Sequence, residues 1–261
     1  MLDRGVVKRL VGAPALGAVT LSVVCASRNA EHCIASLIRS YRREHVVGSE
    51  LIVIDGASTD GTWQILESST DAIRFAVSEG DSGIYDAWNR ALPLCSGKYV
   101  AFIGADDRLA RGSIGALVEA CKLAVDCPHI VAGFNVLTRR SVPVALIGGL
   151  YDSVRLENRM IIAHVMCAHD LSWLKSAGGF DSSFQSSGDY ELLLRERPLL
   201  RVQVIQEILA YVEDGGRSRV TLRPYSENFR ARRINGVPLW RCGLLFCRAI
   251  VGRAVRRALG R

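Results

Sequence analysis

Residues 51–62 read LIVIDGASTDGT. An apolar, β-branched run stops at an acid, Asp55, and turn and cap chemistry follows at Gly56, Ser58, Thr59, Asp60 and Gly61. Unbroken Leu, Ile and Val suit a strand buried on both faces. Ser, Thr, Asp and Gly suit the turn and helix start that come next. The arrangement recurs on either side. Residues 19–26 (VTLSVVCA) are apolar and run into the polar Ser27-Arg28-Asn29, and 30–43 carries Ile34, Leu37, Ile38 and Tyr41 at helical spacing. Downstream the pattern predicts a helix over 62–68, a strand over 73–77, a polar segment over 78–83 and a helix over 85–94. A strand over 99–103 then closes on Gly104-Ala105-Asp106-Asp107, before a helix over 113–123 and a strand over 130–134.

Strand–helix alternation at this spacing implies an α/β fold with a mixed, mainly parallel sheet flanked by helices. Ligands of such sheets gather beyond the carboxyl ends of the strands. Arg28, Asp55, Asp81 and the Asp106–Asp107 pair all fall there, which predicts one site at that edge. After about residue 135 the pattern loosens. Residues 181–195 read as a loop leading into a helix, and 241–261 as a final, amphipathic, Arg-rich helix.

The 261 residues, 49% of them hydrophobic, can form one sizeable core. The expected division is a flexible leader over 1–18, the α/β domain over 19–220 and a basic amphipathic extension over 221–261. The net charge of +7 belongs to that extension. Twelve arginines and one acid, Glu227, lie between 217 and 261, which leaves the remainder of the chain mildly acidic. Eight cysteines occur without a C-x-x-C pair, several inside apolar runs, which predicts reduced, structural thiols in a cytosolic protein. No His/Cys spacing suits zinc, and neither a P-loop nor a dinucleotide fingerprint is present.

Carboxylates at strand ends carry the chemistry. The pair Asp106–Asp107 is a natural oxygen-ligand site for Mg²⁺ or Mn²⁺, although Asp is equally at home in a turn or as a helix cap. Asp55 could accept hydrogen bonds from a base or ribose, or serve the Asp55-Gly56 turn. Residues 78–89, SEGDSGIYDAWN, put three acids and two glycines around a helix start, more than capping requires. His164 and His169 flank an apolar segment; acceptor binding and simple packing both remain open for them.

Taken in order, these stretches resemble the family 2 glycosyltransferases, which have the GT-A fold. Residues 23–30 resemble the first strand and nucleotide-facing loop, which includes Arg28. Residues 51–62 are similar to V-D-D-G-S-x-D-x-T, with Gly56 in place of the second Asp. Residues 78–89 resemble S-E-x-D-x-G-I-Y-D-A-x-N of bacterial polysaccharide-assembly members. FIGADD at 102–107 resembles the D-x-D region, with Gly104 where many relatives carry an acid. Further resemblances are Gly178-Gly179-Phe180-Asp181 to G-G-F-D, Ser187–Leu192 to a D-Y-E-L segment, and Gly215-Gly216-Arg217-Ser218 to a late G-G-x-S loop.

The resemblance implies an inverting transfer from a nucleotide-sugar donor, uracil being its commonest base, with a divalent cation as cofactor. Asp55 would recognise the base, Asp81 would sit near base or ribose, and Asp106 would hold ribose or donor hydroxyls. Asp107 would coordinate the metal and Asp189 would be the general base. His164 lies on the side expected for a lipid-linked or oligosaccharide acceptor. The apolar stripe and arginines of 239–259 predict a peripheral contact with the inner face of an anionic membrane. No basic–aromatic module suggests nucleic acid. A sugar nucleotidyltransferase and a non-catalytic nucleotide-sugar scaffold are the alternatives that residues alone leave open.

Overall fold

The structure, a computed structural model, describes residues 7–12, 14, 17–214 and 222–258. Four parallel strands form its centre: β2 (Leu21–Ser27), β3 (Ser49–Asp55), β4 (Phe75–Ser78) and β5 (Tyr99–Gly104), in the order β4-β3-β2-β5. The unbroken apolar runs have the predicted cause. In β2, Leu21, Val23 and Cys25 enter the core under α1 (Ile34–Glu44), α2 (Thr62–Glu67) and α4 (Ser113–Lys122), whereas Val24 enters the opposite core. Leu51 and Val53 of β3 divide from Ile52 and Ile54 in the same way, as do Ala101 and Ile103 of β5 from Val100 and Phe102. The second core lies under α3 (Ile84–Ala91), α6 (Leu171–Ser176) and α7 (Gly188–Glu196). Each fully buried Val, Leu or Ile contributes roughly 1.5–3 kcal/mol, so two opposed cores fix the register of every central strand.

The sheet continues with mixed polarity. β9 (Ala168–Asp170) runs antiparallel between β5 and β7 (Ile130–Arg139), and β10 (Val202–Glu213) lies parallel to β7. β6 (Arg108–Leu109) pairs with the far end of β10, β8 (Val142–Ile147) pairs with β7, and the short α5 (Ser153–Asn158) follows. The loosened pattern beyond 135 has a physical reason. The β7–β10 register shifts between Val204 and Ile208 and again between Ile208 and Ala210, and such bulges break the two-residue alternation by which a strand is read.

Two expected boundaries are corrected. Residues 8–11 of the supposed flexible leader form β1 (Lys8–Val11), antiparallel to β4, with Leu10 packed on the core. A central strand pattern ending at β4 would leave an open edge of unpaired N–H and C=O groups, which β1 covers. Nor does the domain end at 220. α8 (Arg223–Ile234) buries Ala231 in the second core, and α9 (Leu239–Ala258) packs on α8, with Cys242 fully buried. Besides Ala231, the buried residues of α8 are the polar Glu227 and Arg232, so its sequence reads as surface. The arginine-rich amphipathic helix expected at the C-terminus is α9. No helix among the described residues is long and apolar enough to cross a membrane, and all eight cysteines are free.

Candidate active site

Asp55 closes β3 and is 0% exposed. Its Oδ1 accepts from the hydroxyls of Ser27 (3.2 Å) and Ser58, and its Oδ2 from Ser58 N–H (2.9 Å) and the Ser78 hydroxyl (2.7 Å). Both oxygens are thus committed within the chain. The carboxylate thereby ties together the ends of β2, β3 and β4. Arg28 stands exposed beside this knot. Asp81 is half-buried, and Gly83 N–H donates to its Oδ1 (3.0 Å). Burial raises the Asp81 pKa, against the lowering influence of that hydrogen bond and of Arg28. A Cβ at Gly56 would stand 2.5 Å from Asp81 Oδ2 and 3.4 Å from Arg28 Cδ. The three predicted nucleotide-side residues therefore converge, with Asp55 beneath and Arg28 and Asp81 above.

Asp106 and Asp107 follow β5 in a tight turn in which Asp107 N–H donates to Gly104 O (3.2 Å) and Gly104 N–H to Asp107 Oδ2 (3.1 Å). Asp106 is exposed and Asp107 only 5% exposed. The two carboxylates converge on Gly104, since a Cβ there would lie 2.9 Å from both Asp106 Oδ1 and Asp107 Oδ2. Burial first, and then the charge of Asp106, push the Asp107 pKa up to about 7. Glu213, which the sequence did not signal, acts on Asp107 from the end of β10, its backbone hydrogen bond lowering the pKa against the raising effect of its charge. A buried carboxylate crowded by that of Asp106 fits a cation that would neutralise it. Oxygen donors suit Mg²⁺ or Mn²⁺, which commonly take one or two carboxylates and complete their shell with substrate phosphates and water. Among the described residues no group of three His, Cys, Asp or Glu gathers.

Asp189 lies in the first turn of α7, and Tyr85 Oη donates to its Oδ1 at 2.9 Å. Burial raises the Asp189 pKa, against the lowering effect of its hydrogen bonds. Gly188 permits this contact: a Cβ there would meet the Tyr85 ring at 2.8–3.0 Å. The preceding loop is held by Glu227 of α8, 9% exposed, whose carboxylate accepts from the N–H groups of Gln185 (3.1 and 3.2 Å), Ser186 (2.8 Å) and Ser187 (3.0 Å). Gln185 in turn donates through Nε2 to Ser82 O (2.8 Å), so the brace extends to the loop of Asp81. Tyr85 belongs to the 78–89 stretch and was legible there only as part of a motif. Glu227 was legible only as the lone acid of a basic tail.

His164 is 8% exposed, and its ring stacks on Trp88 (5.3 Å between centroids) and Phe102 (6.1 Å). Burial lowers its pKa to about 3. The neutral ring forms part of an aromatic floor with Trp88, Phe102 and Phe180. The Gly178–Asp181 stretch is joined to the same floor through Asn89, whose Oδ1 accepts from Phe180 N–H (2.9 Å) and whose Nδ2 donates to Phe180 O (2.7 Å). The G-G-x-S stretch at 215–218 lies outside the described residues.

Acids at the carboxyl ends of parallel strands, with a braced carboxylate in the first turn of α7, suit the class of a GT-A sugar transferase. The profile of Glycosyl transferase family 2 matches residues 22–165, and the chain belongs to that family and is a glycosyltransferase. A PGL/p-HBAD biosynthesis glycosyltransferase of Mycobacterium tuberculosis is 26% identical over 209 residues, 78% of this chain and 80% of that one. The Escherichia coli UDP-Glc:alpha-D-GlcNAc-diphosphoundecaprenol beta-1,3-glucosyltransferase WfgD is 36% identical over 88 residues, 33% of this chain and 35% of its own. Among solved structures, S. aureus TarS 1–349 in complex with UDP-GlcNAc superposes with a TM-score of 0.64 at 16% identity, covering 87% of this chain and 70% of that one. The mannosyltransferase PcManGT of Pyrobaculum calidifontis, in complex with GDP-Man and Mn²⁺, superposes with a TM-score of 0.60 at 17% identity, covering 96% and 79%. These two likenesses concern the fold.

Proposed function

We propose that the chain moves a sugar, with inversion, from a nucleotide-sugar to a hydroxyl of a lipid-linked or saccharide acceptor in cell-surface glycan synthesis. The observations that carry this reading are Asp189, bonded by Tyr85 and preceded by a Glu227-held loop, and the paired carboxylates of Asp106 and Asp107 that converge at the end of β5. WfgD's name records a UDP-sugar donor and a diphosphoundecaprenol acceptor, and TarS binds UDP-GlcNAc, which favour a UDP-sugar here.

In this reading Arg28 and Asp81 bind the nucleotide side of the donor over the shelf that Asp55 holds, and Asp106 takes ribose or donor hydroxyls. Asp107, with Asp106, holds a divalent cation; when bound, it would offset charge on the donor diphosphate. Asp189 does the proton work. Its Oδ1 is oriented by Tyr85, and the carboxylate takes the acceptor hydroxyl's proton as the acceptor oxygen bonds to the anomeric carbon. The anomeric carbon–phosphate oxygen bond breaks from the opposite face, and the nucleoside diphosphate leaves with the electron pair. A raised Asp189 pKa makes it a stronger base than an exposed carboxylate. The protein would work peripherally at the inner face of the membrane, through the exposed apolar face of α9.

The test is a donor screen: full-length protein, Mn²⁺ or Mg²⁺, a panel of nucleotide sugars with and without membrane lipid extract, and detection of released nucleoside diphosphate. The expected result is metal-dependent release with one donor, lost in Asp107→Ala and Asp189→Ala, and a product whose anomeric configuration is inverted. Pyrophosphate release from a nucleoside triphosphate would instead establish a nucleotidyltransferase. Donor binding with no turnover in the presence of lipid would establish a scaffold.

A further inference from the structure

A cavity of about 1120 Å³ opens between α8, α9 and the turn at 158–160, away from the strand-end carboxylates. Among the described residues that line it are four arginines and no acid. Two of the four are engaged. Arg232 donates to the carbonyls of Glu157 and Asn158 and to Tyr190 Oη, and Arg241 pairs with Glu157. Arg159 and Arg248 are exposed and have no ion-pair partner among the described residues.

The remaining wall is apolar. Trp240, Leu244 and Val251 line the cavity and are 72%, 62% and 61% exposed. With Val255 they recur at steps of four, seven and four residues, which puts them on one face of α9. An exposed apolar stripe edged with arginine is the composition of a helix lying in a membrane interface. Here the stripe also forms the lip of a basic cavity, so hydrocarbon can reach the cavity without crossing water.

We infer that this cavity binds a membrane lipid bearing a terminal phosphate, its phosphate between Arg159 and Arg248 and its first methylenes against Trp240, Leu244 and Val251. The inference deepens the proposed membrane-surface reading and rests on it. Its geometry supplies one more link: Arg232, which forms the cavity's inner wall, holds the hydroxyl of Tyr190, the residue after Asp189. A bound lipid is thereby presented beside the helix that carries the proposed base.

The experiment is vesicle co-sedimentation of the full chain. Phosphatidylcholine vesicles carry either phosphatidic acid, a phosphomonoester, or phosphatidylglycerol, a phosphodiester, matched in total charge. The wild type is compared with Arg159→Ala/Arg248→Ala and with a charge-matched pair outside the cavity, Arg111→Ala/Arg233→Ala, each confirmed as folded by thermal melting. The expected result is several-fold tighter binding to phosphatidic acid than to phosphatidylglycerol. The cavity pair loses that preference and about ten-fold in affinity for phosphatidic acid, and the outer pair keeps the preference. Equal binding of the two lipids, or the same loss in both variant pairs, would reduce α9 to a general anionic-surface helix and overturn the inference. Competition by millimolar inorganic phosphate down to the phosphatidylglycerol level would make it a free-phosphate site and also overturn it. No step requires turnover, so a failed donor screen beside an intact lipid preference would sink the transferase mechanism and leave the cavity standing.

Discussion

Glu227→Gln tests whether the C-terminal segment is part of the catalytic apparatus. The wild-type carboxylate receives three consecutive backbone N–H groups at 2.8–3.2 Å in a nearly closed site. Hydrogen bonds to a charged acceptor contribute about 1.5–3 kcal/mol each. The glutamine keeps one acceptor oxygen but turns an NH₂ toward groups that are themselves donors, which removes at least one bond and leaves a buried N–H unsatisfied. The net cost is about 2–4 kcal/mol. For a chain of this size, at roughly 2–4 °C per kcal/mol, Tm falls by about 4–16 °C. Displacing a positioned catalytic group by 1 Å costs on the order of a hundred-fold in rate, so kcat is expected to fall ten- to hundred-fold. The donor KM should rise by less than kcat falls, because this loop reaches the donor side only through Gln185 and Ser82 O beside Asp81. The assay is steady-state kinetics well below Tm, with Ala231→Gly as the comparison. That variant weakens the same helix from its buried face but leaves the carboxylate in place. A kcat within two-fold of wild type for Glu227→Gln, or an equal kcat loss in Ala231→Gly, would refute the positioning role.

Gly188→Ala sets a methyl group against the Tyr85 ring; it should break the Tyr85–Asp189 bond and lower kcat at least ten-fold, a loss that Tyr85→Phe reproduces in part. His164 and His169, each held by burial near a pKa of about 3, bind fewer protons folded than unfolded between pH 3 and 6.5. Their contribution is therefore intact above 6.5 and lost as pH falls, by about 2 kcal/mol per ring at pH 5, and melts of His169→Phe against wild type should show half of that slope removed. Asp107 has the opposite sign, its pKa raised to about 7, so its ionisation destabilises the fold as pH rises from about 4 through 7. Asp107→Asn should raise the metal-free Tm at pH 8 by several degrees while abolishing both the Mn²⁺-induced Tm increase and turnover.

The central sheet was legible because both faces of β2, β3 and β5 are buried, which removes polar residues from those runs. The strand-end acids were legible for the same reason, as the first polar residues after each run. What the sequence hid is long-range. The structural role of Asp55 was hidden because the serines that bond its carboxylate come from three separate segments. The packing of His164 was hidden because its neighbours in sequence do not reveal the Trp88 and Phe102 rings it stacks against. Glu227 and Arg232 were hidden by their own polarity, each buried with backbone partners 40 or more residues away.

The order of the motifs carries more than any one of them because they meet in space. Asn89 of the 78–89 stretch pairs with Phe180 of the G-G-F-D stretch, and Gly179, at φ +69°, leaves room for it, since a Cβ there would stand 2.5 Å from Asn89 Oδ1. Tyr85 of that stretch reaches Asp189, and Gly188 is small because Tyr85 is there. The same logic accounts for the two departures from the family pattern. Where relatives carry a second Asp, Gly56 lies against the Asp81 carboxylate; where they carry a first acid, Gly104 lies between those of Asp106 and Asp107. A further carboxylate at either place would be driven into one already present, at the cost of bringing like charges together in a half-buried site. The two glycines are therefore coupled to the positions of Asp81, Asp106 and Asp107. Restoring an acid at Gly56 or Gly104 should damage this chain, although the same residue serves its relatives.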